Sequence, residues 1–503
     1  MELFIEVLGS LCTLKNILFI NIGLACGITV GSLPGLTAVM AVALLLPLTF
    51  GLEPITGMLL LLGVYCGGTY GGSITAILIN TPGTPSAAAT VLDGYKMAQK
   101  GRAGEALQMA LVASVFGGLF SAVALMFTAP ALAAIALKFG PAEYFALAVF
   151  GLTIISGVSG KSIVKAIIMG LLGLLVSTVG LDPMDGFDRF TFGITPLAGG
   201  IQLIPALVGI FAISEIFTKI KDIEKPIDEA AKFTNINLPF SEILRCGKTI
   251  VKSSIIGSII GAIPGTGAAI ASFFSYNEAK RSSKSPELFG TGILEGIAAP
   301  EAANNAVTGG ALIPLLTLGI PGDVVTAIML GALMMQGITP GPSLFVNQKH
   351  WVYAIMLGII FINIFMYLQG RLFIKAFVNV TKIPVKLLTP ILVFLCILGS
   401  YAVNNTTFDC MIMVIFGVVG YLLLKLDFPL TPMVIAIVLG PLAEVNMRRA
   451  LILSEGSPII FFQKPISAVI LTLSALMIIM PFVSKFINKS KKGDCDGEII
   501  ERK

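Results

Sequence analysis

Charged residues are scarce in this sequence, which excludes an ordinary soluble globular protein. They make up 12% of the 503 residues, while 56% of the residues are hydrophobic; a soluble chain carries roughly 25% charged residues. Apolar runs near 20 residues recur, for example 407–426 and 465–487, and runs of this length can cross a hydrocarbon core about 30 Å thick. The composition therefore predicts an all-α polytopic membrane protein.

Several kinds of functional site lack the residues that they need. The seven Cys are odd in number and scattered, without a C-x-x-C motif, so neither a disulfide framework nor a structural metal site is predicted. No Gly-x-x-x-x-Gly-Lys-Ser/Thr loop for ATP is present. The single His, His350, lies beside Lys349 and Trp351 and is interpreted as interfacial. The net charge of +5 lies mostly in short loops, so it indicates topology and not a nucleic-acid partner.

Pro-Gly pairs interrupt the apolar sequence at four places, which we call tips 1 to 4. They are the segments 31–35, 80–84, 261–267 and 319–323. Pro cannot donate to a helix ladder, and Gly costs about 1 kcal/mol in a helix interior, so each pair should break a helix. Discontinuous helices are where membrane transporters hold their substrates. Packing kinks are the alternative interpretation.

The tips form two matched pairs, which indicates a repeat of about 240 residues. Pro34-Gly35 matches Pro264-Gly265, and Pro82-Gly83 matches Pro321-Gly322. The second pair is more widely spaced, because a polar insert lies at 281–287. The chain is therefore divided into a lead-in (1–15), a first transmembrane repeat (16–220), a cytoplasmic linker (221–247), a second transmembrane repeat (248–455), a terminal transmembrane helix (465–487) and a cytoplasmic tail (488–503).

Basic residues alternate between equivalent loops of the two halves. The loop after tip 2 is basic and its equivalent, 336–342, has no charge; the loop after tip 1, 50–53, has no base and its equivalent is basic. The basic residues are Lys96, Lys100 and Arg102 in the first half and Lys280, Arg281 and Lys284 in the second. By the positive-inside rule, equivalent loops lie on opposite sides of the membrane. The repeats should therefore be inverted, with about eleven spans in all and a cytoplasmic C-terminus; whether the broken pieces are re-entrant or full spans is left open.

Helix starts at the tips are candidate anion sites. The first amide N–H groups of a helix have no intrahelical partner, and that end carries about +0.5 of a charge. Two such ends converging near the membrane midplane could bind an anion without Arg. The candidate substrate-binding residues are Gly35, Thr37, Asn80, Thr81, Gly83, Thr84, Gly265, Thr266, Gly267 and Gly322.

A second unusual stretch, 298–310, places Glu301, Asn304 and Asn305 in an otherwise small or apolar segment. Ionisable groups at membrane depth are costly and are usually functional, although polar side chains can also join helices. Asp323 directly follows a Pro-Gly pair, where helix capping is as good an explanation as ion coordination. For Asp93 a cap or a loop ion pair is favoured. With the carbonyl ends of the broken helices, the candidate cation ligands are Gly31, Gly261, Glu301, Asn304, Asn305 and Asp323.

The sequence resembles the large membrane subunit of the tripartite tricarboxylate transporters, the TctA family. The resemblance rests on motifs in both halves: Gly31-Ser-Leu-Pro-Gly-Leu-Thr37, the run 71–85 with Asp93-Gly94, Gly261-Ala-Ile-Pro-Gly-Thr-Gly267, Ala299-Pro-Glu-Ala-Ala-Asn-Asn305, 318–322 and 337–342. It implies a bacterial inner-membrane permease for carboxylates such as citrate. It also implies a small TctB-like membrane subunit, a periplasmic TctC-like binding protein that delivers the substrate, and coupling to an ion gradient.

We therefore expect ion-coupled carboxylate uptake by alternating access at the tips, with no cofactor and with Na⁺ favoured over H⁺ as the coupling cation. A stand-alone transporter or channel for another small organic anion is the first alternative. An intramembrane enzyme is the second, because Gly-Ile-Pro-Gly-Asp323 faintly resembles an aspartyl protease motif. That chemistry needs a second carboxylate in the same site, and no apolar helix supplies one. The particular carboxylate and the oligomeric state do not follow from the sequence.

Overall fold

The structure is a computed structural model that describes residues 2–158, 162–219, 238–381 and 385–479. Most of the predicted linker, the end of the predicted terminal helix and the predicted tail lie outside the described residues. Among the described residues the chain is almost entirely helical, and its one sheet is a two-stranded antiparallel hairpin. The prediction of an all-α protein is therefore confirmed.

The described part of the first half contains eleven α-helices. They are α1 (Glu2–Leu11), α2 (Leu14–Gly31), α3 (Ala38–Leu45), α4 (Pro54–Leu78), α5 (Val91–Gln99), α6 (Ala103–Ala136), α7 (Pro141–Val158), α8 (Ile163–Ser177), α9 (Thr195–Ala198), α10 (Leu203–Leu207) and α11 (Ser214–Lys219). Short 3₁₀-helices lie at Leu46–Thr49 and Pro85–Ala87, and a π-helical segment lies at Val208–Ile213. The hairpin pairs β1 (Gly180–Leu181) with β2 (Asp188–Arg189).

The second half continues the series within the described residues. Its helices are α12 (Phe240–Ala262), α13 (Gly267–Ser282), α14 (Glu295–Gly310), α15 (Leu312–Leu318), α16 (Val324–Met335), α17 (Leu344–Asn347), α18 (Lys349–Leu372), α19 (Ile374–Val380), α20 (Val385–Asn404), α21 (Thr407–Lys425), α22 (Thr431–Leu453), α23 (Ile460–Gln463) and α24 (Pro465–Ile479). A 3₁₀-helix lies at Pro286–Leu288.

Five helices in the described residues are long and apolar enough to cross a membrane: α2, α4, α6, α18 and α21. Further apolar helices are shorter, among them α8, α16 and α24. Several of the short ones begin or end at a tip, so length alone does not distinguish a half-helix from a span. The count of about eleven spans and the inversion of the repeats stay predictions.

The chain forms two compact units. Unit 1 contains Met1–Leu137 and Gln202–Leu426, and unit 2 contains Lys138–Ile201 and Asp427–Lys503. Each unit therefore takes segments from both halves of the sequence. In unit 2, α22 packs against α7 and α8; a Cβ added at Gly173 of α8 would lie 2.3 Å from the carbonyl oxygen of Met433.

An ion-pair cluster joins the β-hairpin to α22 within unit 2. Arg189 contacts Glu444 at 2.9 Å, and Arg448 contacts Asp182 at 2.7 Å. Backbone N–H groups of Asp185 and Met184 and the Arg448 guanidinium lower the pKa of Asp182 to about 2. Because this pKa is lowered, the stabilisation is present above the ordinary Asp value near 3.9 and is lost only as the pH falls through about 2.

Glycines set the distance between the central helices of unit 1. On α2 they recur every fourth residue at 23, 27 and 31, and on α4 at 63, 67 and 71. A Cβ added at Gly27 would lie 2.4 Å from the carbonyl oxygen of Val64, and the same addition at Gly67 would lie 2.6 Å from that of Leu24. The two helices therefore touch backbone to backbone, as small residues permit in membrane proteins.

The pair α12 and α14 packs in the same way. A Cβ at Gly257 would lie 2.2 Å from the carbonyl oxygen of Ala303, and one at Gly310 would lie 2.6 Å from that of Ser258. Each of these contacts has an equivalent between α2 and α4, at the same sequence distances from the Pro residues of the corresponding tips. Both halves thus bring a helix that ends at a tip against the helix that leads to the next tip.

Candidate functional site

Tip 1 separates α2 from α3. Gly35 adopts a positive φ of 78° in the turn, and Thr37 caps α3 by accepting a hydrogen bond from the N–H of Met40 at 3.2 Å. The Thr37 hydroxyl also donates to the carboxylate of Glu215 on α11 at 3.3 Å. The start of α3 is therefore occupied by its own cap.

Tip 2 folds back against tip 1. The Gly83 N–H donates to the carbonyl of Gly72 at 3.2 Å, and a Cβ at Gly83 would lie only 2.0 Å from the carbonyl oxygen of Gly31. Thr84 is buried and its hydroxyl lies 2.8 Å from that of Ser86. The structure thus brings Gly31, Gly83 and Thr84 together.

The remaining predicted residues of tip 2 lie apart from this contact. Asn80 and Thr81 are exposed, and Asn80 adopts a positive φ of 54°. The Thr81 hydroxyl donates to the carbonyl of Ile79 at 3.3 Å. These two side chains complete the turn after α4.

Tips 3 and 4 meet in the same manner. The Gly265 N–H donates to the carbonyl of Gly322 at 2.7 Å, and a Cβ at Gly322 would lie 2.8 Å from the carbonyl oxygen of Gly261. Both Gly265 and Gly322 are buried. The N–H of Gly265 is therefore used within the protein.

The start of α13, just after tip 3, has no side-chain cap. The Thr266 hydroxyl donates instead to the carbonyls of Ile260 at 2.6 Å and Ile263 at 2.9 Å, closing the end of α12. Gly267 has a φ of 72°, and a Cβ added there meets nothing within 4 Å. Space therefore adjoins the free N–H groups and the positive end of a 16-residue helix.

Asp323 in tip 4 caps α16. Its Oδ1 accepts from the N–H of Thr326 at 2.8 Å, and Thr326 completes a capping box with the Asp323 N–H. The Oδ2 accepts the hydroxyl of Tyr65 on α4. Both carboxylate oxygens thus have donors, which favours the capping interpretation of Asp323 over ion coordination.

Glu301 is fully buried on α14. Its carboxylate accepts the hydroxyls of Thr90 at 2.5 Å and Ser114 at 3.1 Å. Thr90 directly precedes α5, and Ser114 lies on α6. The second half of the chain therefore supplies a buried carboxylate that two hydroxyls from the first half hold in place.

Asn304 and Asn305 extend this cluster along α14. The Asn305 Nδ2 donates to Asn304 Oδ1 at 2.7 Å and to the Glu301 carbonyl at 3.2 Å. Asn304 Nδ2 lies 3.4 Å from the carbonyl of Ser86, beside tip 2. Within the described part of the chain, the buried Asn305 Oδ1 has no hydrogen-bond partner.

Side chains from each half of the chain contact a tip, or residues next to a tip, in the other half. Tyr65 of α4 reaches tip 4 at Asp323, and Asn304 of α14 reaches the residues after tip 2 at Ser86. Cys66 on α4 also lies 3.8 Å from the hydroxyl of Thr308 on α14. The tips are thus connected through the middles of α4 and α14.

Two polar side chains that act at the tips, Tyr65 and Glu215, were not predicted from the sequence. Tyr65 lies in an apolar helix, where an aromatic residue gives no special signal. Glu215 stands at the end of an apolar run, where no sequence feature singles it out. Its carboxylate accepts the hydroxyl of Thr37, the residue that caps α3. The glycine spacing on α2 and α4 was visible, and small residues every fourth position are a known signature of close helix packing.

Asp93 lies in the first turn of α5 and binds the loop before α14; this contact is not the helix cap or loop ion pair that its sequence context favoured. It is buried and accepts the Tyr276 hydroxyl at 2.8 Å and the N–H groups of Gly292 at 2.7 Å and Ile293 at 3.1 Å. The carboxylate therefore fastens α5 to the segment that precedes α14.

Comparisons with known proteins agree with these features. The family described as "Tripartite tricarboxylate transporter TctA family" matches residues 17–435. A protein of Agrobacterium vitis described as "Uncharacterized 52.8 kDa protein in TAR-I ttuC' 3'region" is 40% identical over 477 residues, 95% of each chain. A second protein of that organism, "Uncharacterized protein in TAR-II ttuC' 3'region", is 38% identical over 233 residues, 46% of this chain and 96% of its own. No solved structure matches the chain.

Proposed function

This chain belongs to the tripartite tricarboxylate transporter TctA family, and on that premise we propose that it takes up a tricarboxylate or related carboxylate across the bacterial inner membrane. In this proposal it works with a small TctB-like membrane subunit and receives its substrate from a periplasmic TctC-like binding protein. The observation that supports it most is the matched meeting of tips in both halves, Gly31 with Gly83 and Gly265 with Gly322. A packing kink in one helix requires no such partner.

We place the carboxylate at the start of α13. The starts of α3 and α16 are capped by Thr37 and Asp323, whereas α13 has no side-chain cap and has space beside Gly267. Free N–H groups at a helix start bind anions, and the helix dipole strengthens the attraction. The substrate would thus be held by backbone groups, which explains why no Arg or Lys is needed at the tips.

The coupling cation is assigned to α14. Asn305 Oδ1 is a neutral oxygen without a partner in the described residues, one helical turn after Glu301, whose backbone carbonyl accepts the Asn305 Nδ2. Carbonyl and amide oxygens suit a hard cation such as Na⁺. Protons remain the rival, with Glu301 as the titrating group. The Asp182 cluster would not couple protons, because its pKa lies far below physiological pH.

A substitution at Gly267 tests the anion site. A Leu at this position would fill the space beside the α13 start, so uptake of labelled citrate should fall about tenfold or more, equivalent to about 1.4 kcal/mol of lost binding. The assay uses cells that express the chain together with a TctB-like membrane subunit and a TctC-like binding protein.

Gly337→Leu is the matched control for Gly267→Leu. Gly337 has a φ of 74° and open space around a Cβ, as Gly267 does, so both variants impose the same backbone strain. Equal uptake by the two variants at equal membrane levels would remove the α13 start from the site. Uptake without the binding protein and the small subunit would favour a stand-alone transporter.

A further inference from the structure

Unit 1 contains a polar cavity of about 860 Å³ that the proposed transport site does not use. It lies between the first half of α12, the second half of α13 and the segment before α14. The nearby loops include the basic segments that the positive-inside rule places in the cytoplasm. The cavity therefore opens toward the side on which a substrate taken up by the cell must leave.

The charge at the cavity slightly favours an anion. Lys252 pairs with Glu278 at 2.5 Å, and Arg102 pairs with Glu105 at 2.6 Å. Arg245 and Glu242 face each other at 3.9 Å. In the part of the chain that the structure describes, two lysines line the cavity without an ion-pair partner, Lys248 and Lys284. Among the described lining residues, only one acidic residue, Glu295, is unpaired in the same way.

Four serines lie along α12 and α13 between this cavity and tip 3, and we call them the serine seam: Ser253 and Ser258 on α12 and Ser272 and Ser275 on α13. Ser253 and Ser275 line the cavity. Ser272 lies three residues closer to Gly267, and the backbone of Ser258 meets Gly310 of α14. From Ser275 to Gly267 the path is eight residues, about 12 Å along a helix.

Three hydroxyls of the seam have no partner. Ser258, Ser272 and Ser275 are at least nine-tenths buried, with exposures of 6%, 0% and 0%, and their Oγ atoms lack a hydrogen bond within the described residues. A buried hydroxyl normally forms such a bond, because leaving it unmade costs free energy. Ser254 shows the ordinary case, since its buried hydroxyl donates to the carbonyl of Ile250 at 2.8 Å.

We propose that the serine seam is the closed release path of the carboxylate, leading from the start of α13 to the cavity. Separation of the α12–α13 hairpin from α14 would hydrate the three hydroxyls, which lowers the free-energy cost of opening. The leaving carboxylate would accept their hydrogen bonds and then meet Lys248 and Lys284. This inference rests on the proposed function for the identity of the substrate, but the location of the path does not depend on it.

Cysteine accessibility tests the path in the full-length protein. Ser258→Cys, Ser272→Cys and Ser275→Cys are made in a background without native cysteines. Ser121→Cys on α6 is the matched control outside the hairpin, because the Ser121 side chain is fully buried and donates to the carbonyl of Gly118 at 2.9 Å. A membrane-impermeant thiol reagent is applied to vesicles of either orientation. We expect reaction from the side of the basic loops at all three seam positions, at least about tenfold faster than at the control, and slower reaction when citrate is added.

The outcomes separate the path from the function. Seam cysteines that react no faster than the Ser121→Cys control, or only from the opposite side, would overturn the path while citrate uptake could still stand. If the seam cysteines react but the chain does not transport citrate, the assignment of the substrate would be wrong and the location of the path would stand. Protection by NaCl and not by citrate would show a cation path and would refute the carboxylate assignment.

Alanine variants give a second measurement that does not depend on thiol chemistry. Ser258→Ala and Ser272→Ala remove hydroxyls that have no partner, so the melting temperature should stay equal or rise while uptake slows. Ser254→Ala removes a bonded hydroxyl and should lower the melting temperature. A fall in melting temperature for the two seam variants equal to that of the control would mean that their hydroxyls are ordinary structural groups, contrary to the proposal.

Discussion

At the scale of single residues, the site is organised by buried polar side chains that connect distant parts of the sequence. Asp323 accepts the hydroxyl of Tyr65, which lies 258 positions earlier. Sequence reasoning identified Glu301, Asn305 and Asp323 because polar groups in an apolar segment are conspicuous. It could not identify Tyr65, because a Tyr in an apolar helix has no feature that separates it from a packing residue.

Tyr65→Phe should destabilise the protein, whereas Tyr70→Phe should not. Both side chains are buried on α4, but the Tyr70 hydroxyl has no partner among the described residues. Loss of the Tyr65 bond leaves a carboxylate oxygen short of a donor and should cost about 1–3 kcal/mol. Thermal unfolding of the two variants in detergent measures the difference, and equal melting temperatures would contradict the assigned contact.

At the scale of helices, the Pro-Gly pairs predicted the breaks correctly, since α2 and α12 end within the first two residues of a tip and α15 ends just before one. The sequence did not show which helix starts are capped. Thr37 lies two residues after Gly35 and caps α3. Thr266, in contrast, directly follows Gly265 and donates to carbonyls at the end of α12. The position that corresponds to Thr37 in the second half is Gly267, which has no side chain to form a cap.

Two glycines of α12 provide a test of close helix packing. Gly257 meets the backbone of Ala303 on α14, whereas a Cβ at Gly247 meets nothing within 4 Å. Gly257→Ala must push the helices apart and should cost about 1–3 kcal/mol. Gly247→Ala removes a flexible helix residue and should stabilise by about 0.5–1 kcal/mol. Opposite shifts in melting temperature are expected, and a shared direction would show that α12 and α14 are not in backbone contact.

At the scale of the whole molecule, the sequence predicted the membrane class and the family but not the division into units. The units cut across the predicted repeats, because α22 near the end of the chain packs with α7 and α8. Apolar helices are alike in composition, so their partners are chosen by shape at contacts such as that of Gly173 with Met433. Such pairings are long-range and leave no periodic signal in the sequence.

Coupling is the property of the whole molecule that is most open to measurement. A carboxylate with two or three negative charges enters against an inside-negative potential, at a cost of about 2.3 kcal/mol per charge per 100 mV. Co-transported cations must therefore at least cancel its charge. If Asn305 Oδ1 is a Na⁺ ligand, Asn305→Ala should raise the Na⁺ concentration for half-maximal uptake about tenfold, or about 1.4 kcal/mol, and Glu301→Gln should be the milder change.

Asn363 on α18 supplies the matched control for this last experiment. Like Asn305, it is buried, donates its Nδ2 to the carbonyl four residues earlier, and has an Oδ1 without a partner in the described residues. Its hydrogen bond stays within α18 and its Oδ1 lies against Gly118 of α6, so Asn363→Ala should leave the Na⁺ dependence unchanged. Uptake is measured in vesicles with Na⁺ and proton gradients imposed separately. Full uptake driven by a proton gradient alone in Na⁺-free buffer would reject the Na⁺ assignment, and Glu301 would then be the group through which coupling acts.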